Sequence, residues 1–409
     1  MIGWLALTPE QRKAAIDEAA LNSGIPAKVI EKDWWVTLTL KALFQTPFAA
    51  HMVFKGGTSL SKCWQLIRRF SEDVDIALDP AAFGMEYREN PSRGQVNTLK
   101  KRGCEFTSTI LKGALENAFA ALGLAAGTLT VTAEEVPEDF TDKDPQTLFA
   151  DYTSLYPAND YIADSVKIEV SVRSLKMPFS NRLVQTLLHE YNPNAAYPET
   201  PFEVPAMGPH KTFLEKAFLL HEEFGKPDRN RVRWKRMSRH LSDMYAIAPT
   251  EHGTSALTDH ILYERIVHHR QWYSRISWVD YASLGSATLD FLPSADMMER
   301  YRGDYADMEE HMIYGEGVPT FDQVIMELKW LRGRFRLKQT PHTLEQVVQT
   351  ARQQIGAQEV TAPGSHLTTV VTYLVNPDLP VGPTNAAGTY QVVFLSAGQI
   401  WQFESVVMG

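Results

Sequence analysis

Cysteine is nearly absent. The 409 residues hold only Cys63 and Cys104, too few for a disulfide framework, and neither sits in a metal-ligand spacing. Both read as buried or free thiols. No apolar run is long enough to span a bilayer, so a membrane role is not expected. The opening MIGWLALTPEQRK has no basic lead and no small-residue cleavage site, so a signal peptide is not expected and a cytoplasmic protein is the default. A surplus of positive charge is also missing. The formal net charge is −9, which excludes general coating of nucleic acid but leaves room for a local basic groove. There is no internal repeat and no long low-complexity tract. What remains is the composition of a soluble globular protein, 44% apolar and 22% charged, long enough for two or more domains.

Punctuation places the elements. Thr8-Pro9-Glu10 opens a helix that ends near Gly24, and Ile25-Pro26 begins a second that runs to about Phe44. Met52-Val53-Phe54 is a short strand that ends at Gly56-Gly57, and a helix follows with Leu60, Trp64 and Ile67 on one face. Residues 73–78 alternate strictly, with Val74, Ile76 and Leu78 on one side and Asp73, Asp75 and Ala77 on the other. Residues 80–94 resemble a loop. One helix is expected over about 96–122, then strands near 128–135, 147–155 and 164–173. Beyond about 200 the pattern turns helical. An apolar stripe of Phe213, Ala217, Leu220 and Phe224 marks one helix. Others are expected near 232–247, 257–275, 295–312, 320–335 and 342–356. The last fifty residues change character, with strand-like runs at 367–375 and 389–405.

Chemistry concentrates at Asp73 and Asp75. Carboxylates on alternate strand residues project from one face about 7 Å apart. They repel unless a cation sits between them. Hard oxygen ligands of this kind suit Mg²⁺ (or Mn²⁺) carried with the phosphates of a nucleoside triphosphate. Gly56-Gly57 lies at a strand-to-helix turn, where a missing Cβ lets backbone approach a phosphate at a helix start. Thr58 and Ser59 add hydroxyls there, and Lys55 and Lys62 add positive charge. A third acidic residue is expected on a neighbouring strand. Glu169 fits as a metal ligand, or it forms a surface ion pair with Lys167 or Arg173 on the same face.

These residues carry a resemblance. The run Phe54-Lys55-Gly56-Gly57-Thr58-Ser59-Leu60-Ser61-Lys62, followed by Arg69-Phe70-Ser71-Glu72-Asp73-Val74-Asp75, is similar to the first motif of the AbiEii/AbiGii toxin family. Those are nucleotidyltransferase-fold proteins of bacterial abortive-infection and toxin–antitoxin systems. Lys211-Thr212-Phe213-Leu214-Glu215-Lys216 resembles the family's helix with a Glu-Lys pair, and Arg239-His240-Leu241-Ser242-Asp243 resembles its later Arg-His…Asp motif. The order agrees, and the resemblance covers roughly residues 25–335.

The resemblance implies an α/β (α+β) nucleotidyltransferase fold with a small mixed sheet, its acidic residues converging at the sheet edge. A helical domain and a small C-terminal β-like appendage follow. The expected boundaries are 1–200, 201–338 and 339–409. It implies transfer of a nucleoside monophosphate from an NTP to a hydroxyl acceptor such as a tRNA 3′ end, arresting growth, and a cognate antitoxin partner. Asp73, Asp75 and Glu169 would hold the metal. Gly56, Gly57, Thr58, Ser59 and Lys62 would cradle phosphates, and Lys216 would neutralise their charge. Read alone, Lys216 lies at the edge of its apolar stripe and aims its ammonium at a cleft or at solvent. Asp243, one turn from His240, positions the acceptor, assists a metal or pairs with Arg239. The basic run with Arg231, Arg233, Lys235, Arg236 and Arg239 is a solvated face or a contact for RNA phosphates, with Trp234 in the core or stacked on a base. Two rivals share the site: γ-phosphate transfer to a protein side chain, and a non-catalytic nucleotide-binding partner protein.

Overall fold

The computed structural model describes residues 2–136, 143–158, 162–314, 317–338, 368–374, 389–397 and 400–408. The chain divides into two compact units. The first comprises Met1–Thr212, Trp272–Ser274 and Glu310–Val318; the second comprises Phe213–Gln271, Arg275–Glu309 and Pro319–Gly409.

The first unit opens with α1 (Pro9–Ser23). Thr8 and Gln11 form a reciprocal capping box at its start, and Gly24, in the left-handed region, ends it. In α2 (Ala27–Leu43) nearly every residue is buried. The sheet then builds outward from β1 (Met52–Lys55), α3 (Gly56–Lys62) and β2 (Val74–Leu78). The long helix expected next is interrupted. The chain forms α4 (Arg93–Phe106), one wide π-type turn at Thr107–Leu111, and α5 (Lys112–Ala121). Ser108 and Thr109 hydroxyls donate to the carbonyls of Cys104 and Glu105 one turn back, and Gln146 Nε2 donates to Ser108 Oγ. Such side-chain competition for carbonyls accompanies a local widening of a helix.

The remaining strands of the unit are β3 (Leu129–Ala133), β4 (Gln146–Tyr152), β5 (Ser165–Ser171), β6 (Phe179–Val184) and β7 (Phe202–Met207), with the short α6 (Leu187–Tyr191) between the last two. The order is β3-β4-β5-β2-β1-β7-β6, with β2–β5 and β1–β7 parallel and the other pairs antiparallel. The sheet is mixed, as expected, but it is not small. The acidic strand β2 is its middle strand rather than its edge. Strands β6 and β7 escape a reading by pattern for local reasons. Ser180 through Leu183 are all exposed on an edge strand, and β7 carries Pro205, which has no N–H to give. One face of the sheet packs its aliphatic residues, Val74, Ile76, Ile168 and Val170 among them, with Trp34, Trp35 and Leu38 of α2 in a continuous core. The other face carries the polar side chains Lys55, Asp75 and Glu169 beside a small apolar cluster of Val53, Ala77 and Met207.

The second unit holds most of α7 (Pro209–Phe224), then α8 (Ser238–Ile247), α9 (Glu251–Thr258), most of α10 (His260–Tyr273), most of α11 (Ala295–Met312), and α12 (Phe321–Lys338). Phe213, Ala217 and Leu220 of α7 are fully buried, as the stripe requires. The helix expected from 232 begins only at Ser238. Arg236 has φ +58°, and the Asp304 carboxylate accepts the amides of Arg236 and Ser238 and the Ser238 hydroxyl. That carboxylate satisfies backbone donors that a continuing helix would have claimed. Three antiparallel strands, β8 (Thr368–Leu374), β9 (Thr389–Ala397) and β10 (Ile400–Met408), form a separate sheet with β9 in the middle. The expected helix over 342–356 lies outside the described residues.

Candidate active site

Cross-strand register assembles the site in the first unit. Lys55 on β1 pairs with Asp75 on β2, Asp75 with Glu169 on β5, and Glu169 with Thr147 on β4. Directly paired residues share a face, so these four side chains form one row across four strands. The Asp75 and Glu169 side chains are cross-strand neighbours, and Asp75 acts to lower the Glu169 carboxyl. Burial pushes the Glu169 carboxyl up, but the Lys167 ammonium, with Asp75 and Lys55, outweighs it and holds the group below the usual carboxylate range. Lys167 is ion-paired with Glu169. Asp73 lies just before β2 and interacts electrostatically with both Lys32 and Lys167.

The glycine turn touches this row. Gly56 has φ +78°, and a Cβ built on it would fall 2.0 Å from Asp75 Oδ2. The glycine is therefore required twice, by its backbone conformation and by the carboxylate lying against it. At Gly57 a Cβ would meet the Arg69 guanidinium at 2.6 Å and Ser71 Oγ at 2.8 Å. Arg69 is itself fixed by a backbone bridge to Ile313. No side chain caps the start of α3.

Three expected phosphate ligands turn inward instead. Thr58 is 1% exposed and donates its hydroxyl to Ser71 Oγ at 2.9 Å. Ser59 is buried too, 2% exposed. Lys62 is held in a buried ion pair with Asp33, whose other oxygen accepts the Leu187 amide at 2.8 Å. α3 is only two turns long, and its Thr58, Ser59 and Leu60 side chains are buried. Burial pushes the Cys63 thiol up to about 12 and also raises the Cys104 thiol, which disfavours the thiolate at both.

The sequence carries a further signal in Glu31-Lys32-Asp33, which motif and spacing alone do not single out. These three consecutive charged residues are all buried in α2. Lys32 Nζ donates to the carbonyls of Ala163 and Ser165 and pairs with Glu72 at 3.2 Å, next to Asp73. Glu31 accepts from Ser154 Oγ and the Leu155 amide. A charged triplet inside an otherwise apolar helix marks such buried partners. Beside the row lies a cavity of about 550 Å³ that Thr147, Phe149, Lys167 and Glu169 line, together with Lys100 and Arg173. Arg173 is held there by Asp144 at 2.8 Å.

The later motifs fall in the second unit, apart from Lys211 and Thr212. That lysine belongs to the first unit and is fully buried, its ammonium on the Leu175 carbonyl. Lys216 pairs with Asp243 Oδ2 at 2.9 Å and approaches His240 Nδ1 at 3.3 Å. Asp243 is 0% exposed, so α7 and α8 are joined by a buried charge pair. In the basic run Arg231, Arg233, Lys235 and Arg236 are exposed and Arg239 is half-buried. Arg233 is paired with Glu223, and Lys235 lies over the half-buried Trp234 ring.

Donor chemistry bears on the expected metal. Two carboxyls side by side share a proton or a cation. Mg²⁺ commonly uses one or two protein carboxylates together with substrate phosphates. Asp75 and Glu169 fit that role. Among the described residues no group of three or more Asp, Glu, His or Cys is spaced to hold a metal ion.

The family profile of the nucleotidyl transferase AbiEii toxin, type IV toxin–antitoxin system, matches residues 39–327. The chain belongs to that family, which carries a nucleotidyl-transfer toxin role and implies an antitoxin partner. A search of curated proteins finds no match. Among the described residues no helix is long and apolar enough to cross a membrane.

Proposed function

We propose that the protein transfers a nucleoside monophosphate from an NTP to a hydroxyl on RNA, with a tRNA 3′ end as the acceptor, and releases pyrophosphate. The observation that carries this reading is the meeting of Asp75 and Glu169 on adjacent strands, with Gly56 packed against Asp75. A Mg²⁺ or Mn²⁺ ion bound with the triphosphate would supply Lewis-acid stabilisation of charge on the transferring phosphorus and the departing pyrophosphate. Asp75 and Glu169 are the residues to hold it, with Asp73 next to them in sequence as a further oxygen donor. Glu169, kept ionised by Lys167 and Lys55, can instead accept the proton of the attacking hydroxyl. The uncapped backbone at Gly56 and Gly57 contacts phosphate oxygens. Family resemblance alone supports a phosphate role for Lys216, whose ammonium is paired with Asp243. The exposed Arg231, Lys235 and Arg236 contact acceptor phosphates.

The test is incubation with each NTP, labelled at the α or the γ position, and total RNA, with Mg²⁺ or EDTA. Transfer of the α label to small RNA, abolished by EDTA, is expected. Appearance of the γ label on a protein would replace nucleotidyl transfer with a kinase reaction.

A further inference from the structure

Phe149 is an aromatic group of the polar face with no assigned part in the reaction. It pairs with Lys167 across β4 and β5, and Thr147, two residues before it, pairs with Glu169. Its ring therefore leaves the same face as the row and lies diagonally from Glu169, about 7 Å along the strand. Leu148 and Ala150 on either side are fully buried, whereas Phe149 is half-buried and lines the cavity of about 550 Å³. Three carboxylates of the cavity wall each hold a cation: Glu134 holds Lys143, Asp144 holds Arg173 and Glu169 holds Lys167. Lys100 on α4 adds a fourth cation, so this wall is net positive in a chain whose total is −9.

Position across the sheet decides what enters here. The row runs Lys55, Asp75, Glu169, Thr147 over β1, β2, β5 and β4. The glycine turn follows Lys55 at one end, and the cavity lies at the other. In phosphoryl transfer the attacking and leaving oxygens lie roughly in line through the phosphorus. A triphosphate whose leaving end rests on the glycine turn is therefore attacked from the Glu169 side, where the cavity opens. Its volume falls within the range of about 300–1,000 Å³ that small-ligand pockets occupy. An aromatic face stacks on a base of any identity, and cations beside it take the backbone phosphate. We propose that this cavity receives the last nucleoside of the RNA acceptor, with its base on Phe149, its ribose hydroxyl toward Glu169 and its 5′ phosphate near Lys100 and Lys143. This rests on the nucleotidyl-transfer reading of the site.

The experiment reads binding without transfer. Periodate oxidises the terminal ribose of total tRNA to a dialdehyde. An aldehyde condenses with a nearby lysine amine to an imine, losing water, and borohydride reduces the imine to a stable amine. The full chain is labelled in this way without NTP, and the modified lysines are mapped by mass spectrometry. Label on Lys167, Lys100 or Lys143 is expected, and an excess of unoxidised tRNA should suppress it. At subsaturating tRNA, Phe149→Ala should lower the label about tenfold, and Phe149→Tyr should retain it. Label confined to lysines outside the cavity would overturn the proposal, as would undiminished label on a folded Phe149→Ala. Label on the cavity lysines from periodate-oxidised NTP but not from oxidised tRNA would give the cavity to the nucleotide substrate and overturn it too. The label needs no transfer, so its failure is distinct from failure of the α-label assay, which would remove the reaction itself.

Discussion

Replacing Gly56 by alanine tests the close approach that joins the glycine turn to the acidic row. Two costs are expected. A residue with a Cβ at φ +78° loses roughly 1–2 kcal/mol to the left-handed conformation. The new Cβ would also lie 2.0 Å from Asp75 Oδ2, where separations under 3.0 Å essentially do not occur, so the carboxylate must retreat by about 1 Å. Driving a side chain off its rotamer adds roughly 1 kcal/mol. Gly84 supplies the control. It has φ +71° with nothing within 4 Å of a built Cβ, so Gly84→Ala carries only the conformational cost. Asp75→Ala removes the clashing oxygen and leaves the position-75 Cβ at 3.1 Å from the new Cβ. In that background Gly56→Ala should cost about as much as Gly84→Ala, a coupling of about 1 kcal/mol between positions 56 and 75. The cycle also subtracts whatever Asp75→Ala gains by relieving the repulsion with Glu169. The assay is hydrogen-exchange protection of β1 and β2 peptides across a urea series, which reports this unit alone. Additivity of the two substitutions within about 0.3 kcal/mol would refute the claim that Gly56 exists to admit the Asp75 carboxylate.

Other outcomes follow from the same structure. Asp243→Ala leaves the buried Lys216 ammonium without its carboxylate, so a loss of about 3–5 kcal/mol is expected in urea unfolding; Lys216→Met/Asp243→Leu should recover much of it. Lys32→Met should lower protection of the 163–165 segment, and a wild-type exchange pattern would contradict its role. Burial works to raise Glu223, but the Arg233 amide and the Lys226 and Arg233 side chains outweigh it and bring the group below its ordinary 4.5. A lowered folded value means that its stabilisation is full above 4.5 and is lost as pH falls through the folded value. Glu223→Gln should therefore unfold with a shallower acid dependence below 4.5 than the native protein, and identical acid curves would exclude the contribution. Removing the charges of Arg231, Lys235 and Arg236 should reduce the salt slope of RNA binding by about 0.7 for each phosphate no longer neutralised, with no change expected if these residues are only a solvated face.

Much of the site was legible because strand alternation converts spacing into geometry. Asp73-x-Asp75 and Lys167-x-Glu169 announce polar faces, and only the register between β2 and β5 was needed to bring Asp75 against Glu169. Thr8, Pro9 and Gly24 announced the bounds of α1 because caps and left-handed glycines act locally. What a single chain conceals is competition for partners. Thr58 and Lys62 look like phosphate ligands until Ser71 and Asp33 are seen to hold them. Asp243 could have paired with Arg239 on its own helix, but it meets Lys216 from α7. The helix expected from 232 fails because Asp304, far away in sequence, takes the amides of Arg236 and Ser238. The edge strand β6 hid because its residues face solvent rather than alternate.

The proposed nucleotidyl transfer calls for Asp75 and Glu169 to act together on a triphosphate. The most direct measurement is the single-turnover rate of α-label transfer to RNA by Asp75→Asn and Glu169→Gln, each first shown to be folded. Loss of several kcal/mol of transition-state stabilisation predicts a fall of about 10³-fold or more in each. Transfer at the native rate by a folded Asp75→Asn would contradict it.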